Sequence, residues 1–211
     1  MKLTKLTLII VLMISVTGIV AAQSSGDVAA KNKQIEAQNA AMQKAVNDGA
    51  AAFTKKDYAA AIDIYQKAYS ADSTHPTVPI LLKNIAAVKL QRGIETFNAG
   101  VKAGDETLMS KSKADLLDGE YMCIRAIMSA KNNNYAPDKL APINEVQKQI
   151  FQKISSVFFY IGSVNSDDQA LQKSADAAKA FLAIAAANDP NRTETQQILA
   201  ELKSSYNIVA K

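Results

Sequence analysis

Asp57-Tyr58-Ala59-Ala60-Ala61-Ile62-Asp63-Ile64-Tyr65-Gln66-Lys67-Ala68-Tyr69-Ser70-Ala71-Asp72 decides the fold class of this chain. Its apolar residues recur at Tyr58, Ala61, Ile62, Tyr65, Ala68 and Tyr69, offsets that trace one face of an α-helix. Alanines alternate with large rings on that face, so the backbone of another helix can approach closely. Upstream, Ile35, Met42, Val46, Gly49 and Phe53 recur at helical spacing and predict a helix from about Val28 to Thr54. Lys55 and Lys56 suit a helix C-terminus, and Asp57 can cap the helix that follows. The two together predict a helical hairpin from roughly Ala41 to Ser73.

Composition extends this reading to the whole chain. Only 8 Gly and 5 Pro interrupt the 211 residues, and the 48% hydrophobic share is dominated by alanine and aliphatic residues. Such a sequence favours helix on intrinsic propensity. No alternating apolar run is long enough to argue for a sheet. The expected class is all-α, of a length for one large or two small domains at roughly one per 100–200 residues.

Residues 1–22 read as a signal peptide. Lys2 and Lys5 precede an almost uninterrupted apolar run from Leu6 to Val20, and Val20-Ala21-Ala22 supplies the small residues of a cleavage site before Gln23. Retention as an anchor is the alternative, but the run is shorter than the ~20 residues that span a bilayer comfortably. No cysteine follows the run, as a bacterial lipoprotein would need. The expectation is an exported chain, periplasmic or secreted, without stable membrane insertion after cleavage. Residues 23–27 would form a flexible lead. Lys2 and Lys5 carry two of the four net positive charges. The remaining cations are interspersed with acids, so nucleic acid is not an expected partner. Cys123, the only cysteine, excludes an intramolecular disulfide and reads as a small buried side chain.

Further helices follow. Pro76 and Pro79 open one whose buried face carries Val78, Leu81, Leu82, Ile85 and Val88, running to about Lys102 past Gly93 and Gly100, either of which could kink it. After a turn at Ala103–Thr107, Leu117, Tyr121, Ile124 and Met128 form one stripe, with Leu116, Cys123 and Ile127 beside it. The polar stretch Lys131–Pro137 ends that helix. Ile143, Val146, Ile150, Ile154, Val157 and Ile161 make the cleanest stripe in the chain. Asp167-Asp168 starts the next helix, with Leu171, Ala175, Ala178, Leu182 and Ala185, ending at Asn188–Asn191. Ile198, Leu202, Tyr206 and Val209 predict a last helix over 193–209.

The Asp57–Asp72 helix resembles the second helix of a tetratricopeptide repeat, a unit of about 34 residues. Gly49 matches the small residue of the first helix, and Tyr58 the aromatic that opens the second. Ala61 and Ala68 match its small residues, Tyr65 the ring between them, and Asp72 the terminal acid. The usual proline after that acid is displaced to Pro76, and Ala45 stands where a large aromatic is usual. The best unit spans 42–75. Degenerate units span about 76–131 and 143–190, the latter matching through Ala178, Leu182, Ala185 and Pro190. The resemblance implies a tetratricopeptide-like domain over 28–211: about seven helices stacked as antiparallel hairpins, closed by a capping helix at 193–209. A closed helical bundle is the structural rival.

The inventory for catalysis is poor. His75, the only histidine, lies in a predicted turn and reads as exposed punctuation. No phosphate loop or nucleophile elbow occurs, and one His with one Cys makes a zinc site of the usual ligands implausible. No cofactor is expected. Asp115, Asp118 and Glu120 read as the wet side of an amphipathic helix, and Asp167 and Asp168 as helix-start residues. Asn191-Arg192-Thr193 has the form of a glycosylation acceptor, relevant only in a eukaryotic secretory pathway.

Binding is the better use of such a chain. In tetratricopeptide stacks the first helices of the hairpins line a groove that receives peptides or a partner's helix. The resemblance places Gln43, Val46, Ala50 and Phe53 on that groove in the first unit and Asn84 near it in the second. Val46 and Phe53 are equally well explained as core. A clamp for a partner's C-terminal carboxylate is not expected, because Val46 and Ala50 stand at its lysine and asparagine positions. The expected function is an exported, non-catalytic scaffold that binds a protein partner. The alternative is a structural envelope protein that assembles with itself, and a third reading is a carboxylate-dependent hydrolase.

Overall fold

Three aspartates set helix starts. In the computed structural model, Asp57 turns its carboxylate onto Ala60 N at 3.0 Å, and Asp167 onto Ala170 N at 3.0 Å. Asp105 accepts from Thr107 N and Leu108 N at 2.8 and 3.1 Å. Each satisfies amides that the first helical turn leaves without a partner. The structure describes the backbone of residues 3–211 and the side chains from Asp27 onward. Among the described residues there are seven helices: α1 (Leu3–Thr54), α2 (Tyr58–Ala71), α3 (Val78–Ala103), α4 (Glu106–Asn132), α5 (Pro137–Asn165), α6 (Asp168–Ile184) and α7 (Arg192–Tyr206). No strand occurs among the described residues, so the chain is all-α. The expected leader over 1–22, and residues 23–26 of the expected lead, lie outside the residues whose side chains are described. Among the described residues no helix is long and apolar enough to cross a membrane.

The chain divides into two compact units, residues 1–44 and residues 45–211. In the first, Val28 and Ile35 are exposed and Met42 is buried. The second contains the end of α1 and helices α2 to α7. Within it, each helix from α2 onward packs on the next, and α5 also touches α3 and α7. The broadest contacts join α3 to α4 and α5 to α6. The main core is built from Val78, Leu82, Ala86 and Leu90 of α3, Leu116, Cys123 and Ala126 of α4, and Ile143, Ile150, Ile154 and Phe158 of α5. A second cluster joins Leu171 and Ala175 of α6 to Ile198 and Leu202 of α7.

Helix limits differ from expectation where capping outweighs apolar spacing. α5 begins at Pro137, ahead of the expected Ile143, because a proline suits the first helical turn. α7 ends at Tyr206, and Asn207 takes a left-handed conformation with φ 55°. Ile208 N then donates to Leu202 O at 2.9 Å, closing the last turn and leaving Val209 exposed. Gly93 and Gly100 both lie within the single continuous helix α3, at contacts with α4. A Cβ on Gly93 would meet the Leu116 side chain at 3.2 Å, and one on Gly100 would meet Met109 at 3.0 Å.

α4 turns the opposite way from its expected stripe. Leu117, Tyr121, Ile124 and Met128 are all exposed, Tyr121 at 57% and Met128 at 60%. The buried face is instead Met109, Ser112, Asp115, Leu116, Gly119, Cys123, Ala126 and Ala130. The cause is the close approach of α3. A Cβ on Gly119 would lie 3.4 Å from Ala86 O, and Ser112 Oγ donates to Gly93 O at 2.8 Å. Apart from Met109 and Leu116, that face carries small or polar residues where the backbones approach, and the Leu117, Tyr121, Ile124 and Met128 stripe points outward.

Gly49 meets α2 in the same way, facing the buried ring of Tyr65. A Cβ there would fall 2.3 Å from Tyr65 Cε1. Gly49→Ala gains up to ~1 kcal/mol of helix propensity, but the overlap costs about 1–3 kcal/mol. A lower urea midpoint is expected, with a smaller loss when Tyr65→Leu is combined with it. A midpoint unchanged or raised in Gly49→Ala would contradict the tight packing of α1 on α2.

Candidate functional site

The five residues expected at a partner groove divide between surface and framework. Gln43 and Ala50 are exposed, and Val46 is half-buried. Half-buried Phe53 packs against Tyr58 with ring centroids 5.9 Å apart. Asn84 hydrogen-bonds to Tyr65, whose hydroxyl is pushed above its ordinary pKa chiefly by burial, with the Asn84 bond opposing. Phe53 and Asn84 therefore help hold α1, α2 and α3 together.

A cleft of about 550 Å³ opens between the N-terminal ends of α3 and α5. Pro76, Thr77, Ile80 and Lys83 line one side, and Tyr135, Asp138, Lys139, Pro142 and Ile143 the other. Ile80 is 37% exposed. Tyr135 Oη donates to Pro76 O at 2.7 Å and bridges the two sides, while Lys139 Nζ lies 5.8 Å from the Tyr135 ring centroid. Burial holds the Lys83 ammonium below its usual pKa. Two cations, Lys83 and Lys139, and one carboxylate, Asp138, thus border an apolar wall. The sequence signal was slight: Ile80 falls off the stripe of Val78, Leu81, Leu82 and Ile85.

On another side of this unit, Arg125 is held between two tyrosines. Its guanidinium carbon is 5.0 Å from the Tyr69 ring centroid and 5.6 Å from that of Tyr121, and Nη2 donates to Tyr69 Oη. A cavity of about 440 Å³ lies beside it, lined by Tyr69, Ser73, Thr74, Val78, Leu82 and Met128 among others.

The acidic residues of α4 are placed differently from the expected wet face. Asp115 is buried at 8% exposure. It accepts from Arg92 Nε at 2.7 Å and from Nη2 of the same guanidinium, and Lys89 Nζ lies 3.9 Å away. Lys89 is buried too, and donates to Asp118 at 2.8 Å. Glu120 accepts from Lys173 of α6 at 2.6 Å. These carboxylates face cations of neighbouring helices because α4 presents its polar flank to α3 and α6. Asp118 alone keeps a largely exposed side chain, at 62%.

His75 is also buried, contrary to its reading as exposed punctuation. Its Nδ1 accepts from Thr77 N at 3.1 Å, so the ring folds back to order the turn before α3. Cys123 is fully buried, and burial pushes its thiol up to about 12. Its Sγ lies 3.6 Å from Ile143 O as a weak donor. Among the described residues no group of three or more His, Cys, Asp or Glu is placed to hold a metal ion. No known protein family matches the chain, and neither a characterised protein nor a solved structure shows significant similarity to it.

Asp115→Ala strips the half-buried Arg92 guanidinium of its carboxylate and leaves the buried Lys89 with Asp118 alone. A loss of about 3 kcal/mol is expected, measured as a fall in the urea midpoint. A second outcome concerns pH. The Ala170 amide and then Lys113 hold the Asp167 carboxyl below the usual range, and Lys148 does the same for Asp189. Their stabilisation is present above the unfolded pKa of about 3.9 and is lost as pH falls through the lowered folded values. The urea midpoint should therefore fall from about pH 5 to about pH 3. That fall should be flatter in Asp167→Asn/Asp189→Asn.

Proposed function

We propose that this chain is an exported, non-catalytic scaffold of tetratricopeptide type that binds a protein partner. The observation that carries the reading is the apolar cleft between α3 and α5, where Ile80 is exposed beside Lys83 and Lys139. In a stack of hairpins, α3 and α5 are first helices, the layer that lines the groove. The contacts of α5 with α3 and with α7 support stacking, since first helices of successive hairpins touch in series. The pairing of α3 with α4 and α5 with α6 supports it as well. Export rests on the apolar run between Leu6 and Val20.

The occupant that fits is an extended protein segment with an aliphatic side chain against Ile80 and Pro142 and a carboxylate toward Lys83 or Lys139. Preformed apolar clefts with a few directed polar groups are the usual form of such sites. The non-catalytic reading is supported by ion pairing: Asp115 borders a cavity of about 380 Å³, but both its oxygens accept from the Arg92 guanidinium, and Glu120 is held by Lys173.

Peptides selected from a random displayed library against the purified chain give the test. They should be enriched in aliphatic and acidic residues, and Ile80→Glu should weaken them at least ~10-fold, as for loss of a central apolar contact, with an unchanged helical circular dichroism spectrum. Peptides that bind Ile80→Glu as well as the parent chain would remove the cleft as the site.

A further inference from the structure

The outer face of α4 has a symmetry that the core does not require. Leu117, Tyr121, Ile124 and Met128 stand at intervals of four, three and four residues, and all four are exposed. Those intervals read the same from either end. Reversing the helix lays Leu117 on Met128 and Tyr121 on Ile124, so the stripe is complementary to a second copy of itself running the other way. Alternating three- and four-residue spacing is the seam pattern by which two helices interlock side chains.

The charges select the same direction. Asp118 follows Leu117, and Arg125 follows Ile124, on one flank of the stripe. In an antiparallel pair these flanking positions face each other, and Asp118 of each copy meets Arg125 of the other, giving two opposite-charge pairs. In a parallel pair the two flanks lie on opposite sides of the seam, so Asp118 and Arg125 would not meet. Both groups have capacity for a new partner. Lys89 donates to only one oxygen of Asp118, whose side chain remains 62% exposed. Arg125 has tyrosine contacts but no carboxylate partner among the described residues.

We propose that the outer face of α4 is a self-association surface on which a second copy of this chain docks its own α4 antiparallel. The contact is isologous, with the two-fold axis passing between Tyr121 and Ile124. It shares no residue with the α3–α5 cleft, so dimerisation and partner binding stand or fall separately. One helix pair buries an area at the low end of specific interfaces, and a dissociation constant on the order of micromolar follows.

Sedimentation equilibrium of the purified chain over a range of concentration tests the association. A monomer–dimer equilibrium is expected, with Ile124→Glu monomeric throughout and its helical spectrum unchanged. Disulfide trapping tests direction: Leu117→Cys chains should cross-link rapidly to Met128→Cys chains and poorly to one another. The proposal is overturned by a parent chain monomeric at ~200 μM, well above the expected constant. A dimer indifferent to Ile124→Glu, or preferential Leu117→Cys homodimer trapping, overturns it equally.

Discussion

The separation between α3 and α4 is the constraint from which most of this structure follows. Ala86 and Gly93 on α3 meet Gly119 and Ser112 on α4, and the hydroxyl of Ser112 reaches a main-chain carbonyl of its neighbour. Helices so close leave little room for large side chains at the crossing, and Leu116 fits there over the missing side chain of Gly93. Three consequences cascade from that closeness. The polar flank of α4 is carried against α3, where Asp115 is enclosed by Arg92 and Lys89. The Leu117, Tyr121, Ile124 and Met128 stripe of α4 is turned to the surface. The large side chains that pack against both helices come from α5, whose Ile143, Ile150, Ile154 and Phe158 join the main core.

The same constraint explains what was legible in the amino-acid sequence. Periodicity reveals helices whose buried face is large and apolar, and α2, α3 and α5 were legible for that reason. Ala61 and Tyr65 are buried as their spacing implies, and Asp57 caps as its position implies. On α4 the periodicity was just as regular, but it marked the outer face. Size alone does not tell a core stripe from a docking stripe, and the discriminating signal was the small-residue series through Ser112, Gly119, Ala126 and Ala130. The burial of His75 was hidden because a turn histidine is ordered by a bond to its own neighbouring amide. The cleft at Ile80 was hidden because its two walls come from residues some sixty positions apart, bridged by the Tyr135 bond to Pro76. Of the five residues expected at a groove, Phe53 and Asn84 engage the framework because an aromatic or amide beside a packed tyrosine finds a partner there.

Electrostatics and packing have separate tasks in this chain. Ion pairs from Arg92 to Asp115 and Lys173 to Glu120 join helices, while Lys113 to Asp167 and Lys148 to Asp189 join a helix to the cap before α6 and to the loop before α7. Each pair is satisfied only when the elements it joins are in one axial alignment. Alanine-rich faces slide easily against one another, since their surface relief is shallow. The paired charges remove that freedom, which is the role best attested for ionic groups at packed interfaces.

Cys123 gives the chain a built-in reporter. Its sulfur lies fully enclosed between α4 and α5, and the thiol stays protonated across the physiological range. A disulfide reagent therefore reaches it only when those helices part, and the reaction then counts opening events one molecule at a time. The lone thiol, inert in the closed protein, is in effect a clock for how often the core breathes.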